Sequence, residues 1–246
     1  MTTTHPIGLA ALTVLELAPP DMVSCAAEAG FASIGLRLLP ATAEEVQHAI
    51  VGDTPLARET ARRIADTGLS VLDIEIFRLR PDTIVDDYRA ALETGARFGA
   101  REVLVAGNDP DEARLIERFA AFCELAGEYG MAADLEPMPW TDVRSFLQGA
   151  RIVAAAGQAN AGVLIDPIHF DRGGSVAGEI ANVPASRLHY LQLCDAPAER
   201  PHDTATVPPQ IPLSIECPMH TLAATMPALE RARAMLAKTR KLLETL

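Results

Sequence analysis

Three carboxylates and one amide stand at the ends of short hydrophobic segments in the second half of the chain. These residues are Glu136, Asp166, Gln192 and Glu216. Carboxylates that converge on one point repel each other, and a divalent cation relieves that repulsion without protonation. The ligand atoms would all be oxygens, and hard oxygen donors favour Mg2+ or Mn2+ over Zn2+. The sequence therefore predicts a divalent-metal site formed by these four side chains.

Eight segments rich in Val, Ile and Leu alternate with amphipathic segments and would position these residues. Strand and helix repeated through eight cycles predict an α/β fold, a single (β/α)8 TIM barrel formed by residues 1–246. The C-terminal ends of its parallel strands all lie on one face, around one pocket. The alternative, an open doubly wound sheet, needs a phosphate-binding glycine loop after the first strand, and GLAALTV is not one. The predicted strands span residues 7–17, 31–39, 69–79, 102–106, 131–136, 161–166, 188–193 and 213–216.

Amphipathic segments between the strands predict the helices of the barrel, and several of them end at glycine. Gly30, Gly68 and Gly130 each stand directly before a predicted strand, which is the position of a left-handed C-cap residue. The alternation of these helices with the strands supports the barrel. Four of the predicted helical segments span residues 55–67, 83–98, 112–129 and 142–156.

The connection before the last strand departs from this pattern. Segment 196–212 is rich in proline, which excludes a regular helix there. Parallel strands need a crossover of a dozen or more residues, usually helical. Either this chain lacks the crossover helix before strand 8, or residues are absent between Asp195 and Leu213. We favour the second interpretation.

Polar residues near the ends of other strands complete the predicted pocket. His169 follows Asp166 by three residues, and its side chain titrates near neutral pH, so it is a candidate acid or base. Arg37 and Arg78 are candidates to hold a carboxylate or phosphate of the substrate, although ion-paired structural arginines explain them equally well. Asn108 is a further candidate for substrate binding. Trp140 would stack on a sugar ring or cover the pocket.

Composition and charge restrict the partners of the protein. The formal charge is −12, which argues against nucleic acid or an anionic membrane as the partner. No apolar run reaches the ~18 residues of a membrane span, and the N-terminal MTTTHPIG lacks the hydrophobic part of a signal peptide. The four cysteines form no CxxC pair, as expected for reduced thiols. We expect a cytoplasmic protein with a small-molecule substrate, and its assembly into a homo-oligomer stays open.

Four segments together resemble the xylose-isomerase-like sugar isomerase/epimerase barrels, a superfamily that includes inosose dehydratase and 3-dehydroshikimate dehydratase. The resemblance covers essentially the whole chain in strand order. It implies a metal held by Glu136, Asp166, Gln192 and Glu216, with His169 near the substrate. It also implies that Glu136 and Glu216 exchange the substrate proton. The segments are DLEP (134–137), LIDPIHF (164–170), LHYLQLCD (188–195) and LSIECP (213–218).

The resemblance implies a divalent-metal-dependent isomerase or epimerase that acts on a small keto sugar or polyol. The reaction would transfer a proton beside a carbonyl through an enediolate. Many epimerases have histidine at the position of Gln192, whereas glutamine is more similar to the dehydratase branches. The first alternative is therefore a metal-dependent dehydratase of a cyclic polyhydroxy ketone, such as an inosose or 3-dehydroshikimate. The second alternative is a non-catalytic sugar-binding barrel.

Overall fold

The computed structural model describes residues 5–194, 211–217 and 220–244. These residues form eight short strands, with helices between them and after the last strand. The strands are β1 (Ile7–Leu9), β2 (Ser33–Arg37), β3 (Ser70–Leu79), β4 (Glu102–Gly107), β5 (Ala132–Glu136), β6 (Ala161–Val163), β7 (Leu191–Leu193) and β8 (Leu213–Ile215). The α-helices are α1 (Pro19–Ala29), α2 (Pro55–Thr67), α3 (Arg89–Phe98), α4 (Glu112–Glu128), α5 (Phe146–Ala156), α6 (Pro167–Arg172), α7 (His220–Ala223) and α8 (Ala228–Leu243).

The strands form one parallel sheet whose two edges meet. Its order is β6-β5-β4-β3-β2-β1-β8-β7, and all neighbouring strands are parallel. Beyond the end of β6, Ile165 pairs with Leu191 of β7 in a parallel bridge. The backbone N–H of Gln192 also donates to the carbonyl of Ile165 at 3.0 Å. The sheet is therefore curled into a barrel, and the predicted (β/α)8 TIM fold is confirmed.

Local sequence signals explain where the helices begin and end. The Thr54 hydroxyl accepts a hydrogen bond from the Ala57 N–H at 3.0 Å, and Pro55 occupies the first turn of α2, where a missing N–H costs nothing. Gly68 ends that helix with φ +70°, a conformation that other residues adopt only with strain. The observed bounds of α2 are those predicted from the sequence. None of the described helices is long and apolar enough to cross a membrane.

The strands separate two hydrophobic layers because successive side chains point to opposite faces. On β5, Ala133 and Leu135 belong to the large core between the sheet and the helices. The alternate residues Asp134 and Glu136 are buried as well, and they share the inner face of the strand. A smaller apolar cluster that includes Tyr190 fills part of the barrel interior. Glu136 is thus held at the end of a rigid strand, with helices packed behind it.

The first predicted strand is wrong beyond Leu9. Residues Ala11–Val14 form a 3-10 turn instead of an extended strand. The Thr13 hydroxyl donates to the Ile215 carbonyl at 2.8 Å and accepts from the Cys217 N–H at 2.9 Å. The hydrophobic side chains of this segment cover the core from a turn, and Thr13 ties that turn to the end of β8.

Other differences concern the lengths of elements. Segment 83–98, predicted as one helix, is a 3-10 turn (Val85–Tyr88) followed by α3. Segment 142–156 becomes helical only at Phe146, where the Ser145 hydroxyl caps the helix. The prediction about the missing crossover helix concerns residues 195–210, which lie outside the described part of the chain.

Candidate metal and active site

Four adjacent strands bring the predicted metal ligands to one end of the barrel. Glu136 is the last residue of β5, and Asp166 lies just beyond β6 as the N-cap of α6. Gln192 lies in β7, and Glu216 directly follows β8. All four side chains are at least nine-tenths buried, and Glu216 is the most exposed at 9%. The C-terminal ends of neighbouring parallel strands therefore hold four oxygen-bearing side chains away from bulk water.

The Gln192 amide lies between two carboxylates. One terminal atom of this amide is 3.0 Å from Glu136 Oε1 and 3.3 Å from Glu216 Oε2. With nitrogen at that position, the amide donates a hydrogen bond to each carboxylate. With the carbonyl oxygen there, three oxygens converge, as they do around a hard cation. Rotation of the amide by half a turn converts one arrangement into the other, so Gln192 suits both the metal-free and the metal-bound site.

Asp166 is held in place by several donors. Its Oδ1 accepts from the N–H groups of Ile168 at 2.8 Å and His169 at 3.0 Å, at the start of α6. The Cys194 thiol lies against both carboxylate oxygens of Asp166. Pro167 at the first helical position has no N–H to satisfy. The DPIH motif therefore folds into a cap that holds the Asp166 carboxylate toward the site.

His169 lies beside two of the carboxylates. Its Nε2 is 3.6 Å from Glu136 Oε1, and its Nδ1 is 3.9 Å from Asp166 Oδ1. One ligand atom from each of these three residues lies within 4.8 Å of the other two. Burial lowers the pKa of His169, which outweighs the opposite effect of Asp166. The imidazole is therefore neutral at pH 7, and Trp140 packs edge-on against it at a ring-centroid distance of 4.6 Å.

The two glutamates hold protons more tightly than free glutamates do. Burial, followed by the charges of Asp166 and Glu75, raises the pKa of Glu136 well above its ordinary value. Burial, followed by the charges of Glu75 and Glu136, does the same for Glu216. A buried group of carboxylates must either take up protons or bind a cation. The residues present fit a divalent cation, because Gln192 can complete the carboxylates with a neutral oxygen ligand.

A cavity of about 300 Å³ opens beside these carboxylates. It is lined by Glu136, Asp166, His169 and Glu216, and also by the predicted substrate-binding residues Arg37, Arg78 and Trp140. Trp140 is 63% exposed and lies at the cavity beside His169, which suits a lid or a stacking surface. The structure thus brings three of the four predicted substrate-binding residues to the site.

Arg37 is already ion-paired. Its Nε donates to Glu75 Oε1 at 3.1 Å, and its Nη1 donates to Glu45 Oε1 at 2.7 Å. Both carboxylates also line the cavity. Of the two interpretations of Arg37, this geometry favours a structural arginine that orders the cavity wall. A role for Arg37 in binding substrate stays a prediction.

Arg78 has a different environment. Its Nε donates to the Ala41 carbonyl at 3.1 Å, and its Nη1 donates to Asn108 Oδ1 at 3.0 Å. No carboxylate of the described residues forms an ion pair with it. Burial, followed by the charges of Arg80 and Arg37, lowers its pKa. Arg78 is a cavity-lining cation with neutral partners, whereas Asn108 accepts its hydrogen bond but does not line the cavity.

Four charged or thiol residues that line the cavity were not among the predicted site residues: Glu45, Glu75, Arg172 and Cys194. Cys194 follows Gln192 by two residues and so points to the same side of β7, which was a usable signal. Glu75 is a charged residue inside a hydrophobic strand, and Arg172 lies one turn after His169 on α6. Glu75 adds a negative charge that acts on Glu136, and Arg172 adds a third cation to the cavity beside Arg37 and Arg78.

Fold and site together define a (β/α)8 barrel with a candidate metal-binding centre at the C-terminal ends of its strands. Residues 23–209 match the family described as xylose isomerase-like TIM barrel, and the chain belongs to this family. The resemblance identified from the four sequence segments is thereby confirmed.

Similar proteins include a dehydratase and an epimerase. A 3-dehydroshikimate dehydratase from Pseudomonas aeruginosa is 28% identical over 154 residues, which cover 57% of this chain and 24% of that protein. The aligned region therefore spans about a quarter of that curated relative. An IOLI protein with a bound zinc atom aligns at a TM-score of 0.76 and 17% identity over 98% of both chains. A D-allulose 3-epimerase from Methylomonas sp. in complex with D-allulose aligns at a TM-score of 0.70 and 15% identity over 97% of both chains. These two likenesses show the fold alone.

Proposed function

We propose that the protein is a divalent-metal-dependent isomerase or epimerase that acts on a small keto sugar or polyol. The observation that carries this proposal is the position of the Gln192 amide between Glu136 and Glu216, two carboxylates that line a cavity together with Asp166. Glu136, Asp166, Gln192 and Glu216 would hold the cation. The donor atoms are all oxygen, which favours Mn2+ or Mg2+ over Zn2+.

A bound cation would polarise the substrate carbonyl and so acidify the neighbouring C–H bond. Glu136 and Glu216 lie on either side of the Gln192 amide, and the raised pKa of each suits a group that accepts and returns a proton at neutral pH. One glutamate, as the carboxylate, would remove the proton, and the other, as the carboxylic acid, would deliver its own proton to the opposite face of the enediolate. These two proton transfers together invert the configuration at the carbon.

A dehydratase is the second candidate, and Arg78 favours it. A half-buried guanidinium with neutral partners suits a carboxylate on the substrate, because the pair would form in a site with little water. A simple keto sugar has no such group. Neutral His169 would first accept a proton and would then, as the imidazolium, give that proton to a departing hydroxyl, which leaves as water; its place beside Glu136 supports this role. The partial similarity to 3-dehydroshikimate dehydratase agrees with this candidate.

The remaining parts of the proposal follow from composition and cavity. The substrate is a small molecule, because the cavity is small and the acidic chain disfavours nucleic acid and membranes. We propose a cytoplasmic location, because the four cysteines of the sequence are widely spaced and form no CxxC pair. We take residues 1–246 as one barrel domain. A non-catalytic sugar-binding barrel is the outcome if the protein binds sugar without proton transfer, and such a barrel need not hold metal.

Deuterium exchange tests the proposal and separates the candidates. The Mn2+-loaded protein would be incubated in D2O with keto sugars, inososes and dehydroshikimate, and the products followed by NMR and mass spectrometry. Isomerisation predicts deuterium at the carbon beside the carbonyl without loss of water, whereas dehydration predicts loss of water. The matched control is Glu216→Gln, which retains a carbonyl oxygen but cannot accept the proton. Binding of a sugar without exchange, in protein that holds metal, would leave only the binding barrel.

A further inference from the structure

A second group of ionisable side chains lies away from the cavity. Glu102 begins β4, Asp134 lies in the middle of β5, and His189 precedes β7. The Nδ1 atom of His189 is 2.9 Å from Asp134 Oδ1 and 3.7 Å from Glu102 Oε2. One ligand atom from each residue lies within 4.8 Å of the other two. We call these three residues the basal cluster.

The basal cluster is separate from the candidate active site. Asp134 precedes Glu136 by two residues on the same face of β5, so it lies roughly 7 Å further toward the N-terminal end of the barrel. None of the three residues lines the cavity at the opposite end. The side chains of Glu102 and His189 are 16% and 19% exposed, so the cluster is accessible to ions from solvent.

A buried carboxylate without a hydrogen-bond partner lies next to this cluster. Asp73 is fully buried, and neither of its carboxylate oxygens has a hydrogen-bond partner among the described residues. It is the Cα partner of Glu102 across β3 and β4, and its carboxyl is subject to the charges of both Glu102 and Asp134. Among the described residues, the buried Tyr190 hydroxyl also lacks a partner. Such groups normally find a protein, water or ion partner.

Gly162 makes room for the basal cluster. A Cβ atom at this position would collide with Asp134 Oδ1 and would lie 2.6 Å from His189 Nδ1. The His189 ring is also held by a hydrogen bond to the backbone of Ser186. Histidines that bind metals usually have such a bond at their second ring nitrogen. The imidazole is therefore oriented with Nδ1 toward the two carboxylates.

We propose that Glu102, Asp134 and His189 bind a second divalent cation at the N-terminal end of the barrel, next to the buried Asp73. One imidazole nitrogen with carboxylate oxygens is a donor set suited to Zn2+. The site at the C-terminal ends has oxygen donors in its four predicted ligands, so the two centres differ in the metal they prefer. The basal cation would neutralise the acidic interior of the barrel and stabilise the fold. This role does not depend on the proposed reaction.

Anomalous diffraction from crystals of the full chain grown with Zn2+ tests the proposal directly. A peak enclosed by Glu102, Asp134 and His189 is expected, whatever is found at Glu136 and Glu216. In solution, the bound Zn2+ per chain would be counted after dialysis. Glu102→Gln preserves size and should lower the count by one ion, and His189→Gln should do the same if it folds. The control, Glu136→Gln, should retain the basal ion.

Two results would overturn the proposal. One is the absence of an anomalous peak at the basal cluster in crystals that contain Zn2+. The other is an unchanged metal count in Glu102→Gln, which would mean that the cluster only shares protons. The two centres share no ligand. If no metal binds at Glu136 and Glu216 but the basal cluster holds an ion, the proposed function is contradicted and the basal site is still supported.

Discussion

The Cys194 thiol lies 2.9 Å from Oδ1 and 3.0 Å from Oδ2 of Asp166. Burial, followed by the charge of Asp166, raises the pKa of Cys194, so the thiol keeps its proton. The S–H group therefore donates a hydrogen bond to the carboxylate. Since two backbone N–H groups hold Oδ1 from the other direction, Cys194 completes a set of donors that orients Asp166. The thiol therefore acts on the metal site through its neighbour.

Removal of the Cys194 donor should weaken metal binding. Changes to groups that orient metal ligands typically lower affinity by roughly 10- to 100-fold. We expect Cys194→Ala to raise the Kd for Mn2+ within this range, whereas Cys194→Ser, which retains a donor, should change it only a few-fold. Isothermal titration calorimetry measures both values. Equal affinities for the alanine and serine variants would show that the thiol does not orient Asp166.

Glu216 should carry a proton, and Asp166 should act mainly through the metal. Removal of a general base typically lowers turnover by roughly 10²- to 10⁴-fold. We expect that loss in Glu216→Gln at saturating Mn2+, with a smaller loss of metal affinity than in Glu216→Ala. Asp166→Asn should lose activity in proportion to the metal that it loses. Turnover is measured together with bound metal for each variant. Near-normal turnover in metal-loaded Glu216→Gln would reduce Glu216 to a ligand and pass its role to Glu136 or His169.

Metal should stabilise the folded protein through the site between Glu136 and Glu216. A ligand that binds only the native state adds about 2.7 kcal/mol to the free energy of unfolding at a hundredfold excess over its Kd. In Glu102→Gln, which removes the proposed basal site, chelator-treated protein should regain more thermal stability with Mn2+ or Mg2+ than with Zn2+. Differential scanning calorimetry gives the comparison. A melting temperature that is the same with all three metals, and without them, would contradict the metal site.

Arg78 should select substrates that carry a carboxylate. A hydrogen bond to a charged group contributes roughly 1.5–3 kcal/mol, so Arg78→Met should lower kcat/KM for such a substrate by about 10- to 100-fold. Reactions of neutral keto sugars should change little. Arg80→Gln is the matched control, because Arg80 is an exposed arginine two residues away. If Arg78→Met affects neutral and anionic substrates equally, Arg78 supports the cavity wall and binds no anion.

The metal-free protein should become less stable as pH rises. Burial and then Asp134 raise the pKa of Glu102 from 4.5 to about 7, and the hydrogen bond that the His189 ring donates to Asp134 is the main cause that raises the pKa of His189 from 6.5 to about 9. Both groups bind protons more tightly in the folded state, so their contributions are complete below the unfolded pKa values and are lost as pH passes the folded ones.

Thermal melts in the presence of chelator between pH 5 and 9 measure this effect. The melting temperature of the wild type should fall over the whole range. Glu102→Gln should remove part of the fall below pH 7, and His189→Gln should remove part of the fall between pH 7 and 9. A wild-type melting temperature that rises toward pH 9 would show that these two groups are not protonated as the geometry indicates.

The amino-acid sequence determined the alternation of strands and helices, and with it the barrel. Hydrophobic segments, glycines such as Gly68 and the polar residues that end the strands are local signals, so they can be identified without knowledge of the tertiary contacts. The same signals placed Glu136, Asp166 and Glu216 at one end of the barrel, because parallel strands share their direction. Segment 7–17 shows the limit, since an apolar run does not distinguish a strand from a turn that covers the core.

Only the tertiary structure decided which of these residues touch one another. The contact of Cys194 with Asp166 and the hydrogen bond from Arg78 to Asn108 depend on side-chain positions at strand ends. The basal cluster joins Glu102, Asp134 and His189 across strands that are far apart in the chain. Periodicity determines the face on which a side chain lies, whereas barrel closure and strand register determine its distance from residues on other strands. Those two properties arise from packing across the whole sheet, so no local pattern in the sequence reports them.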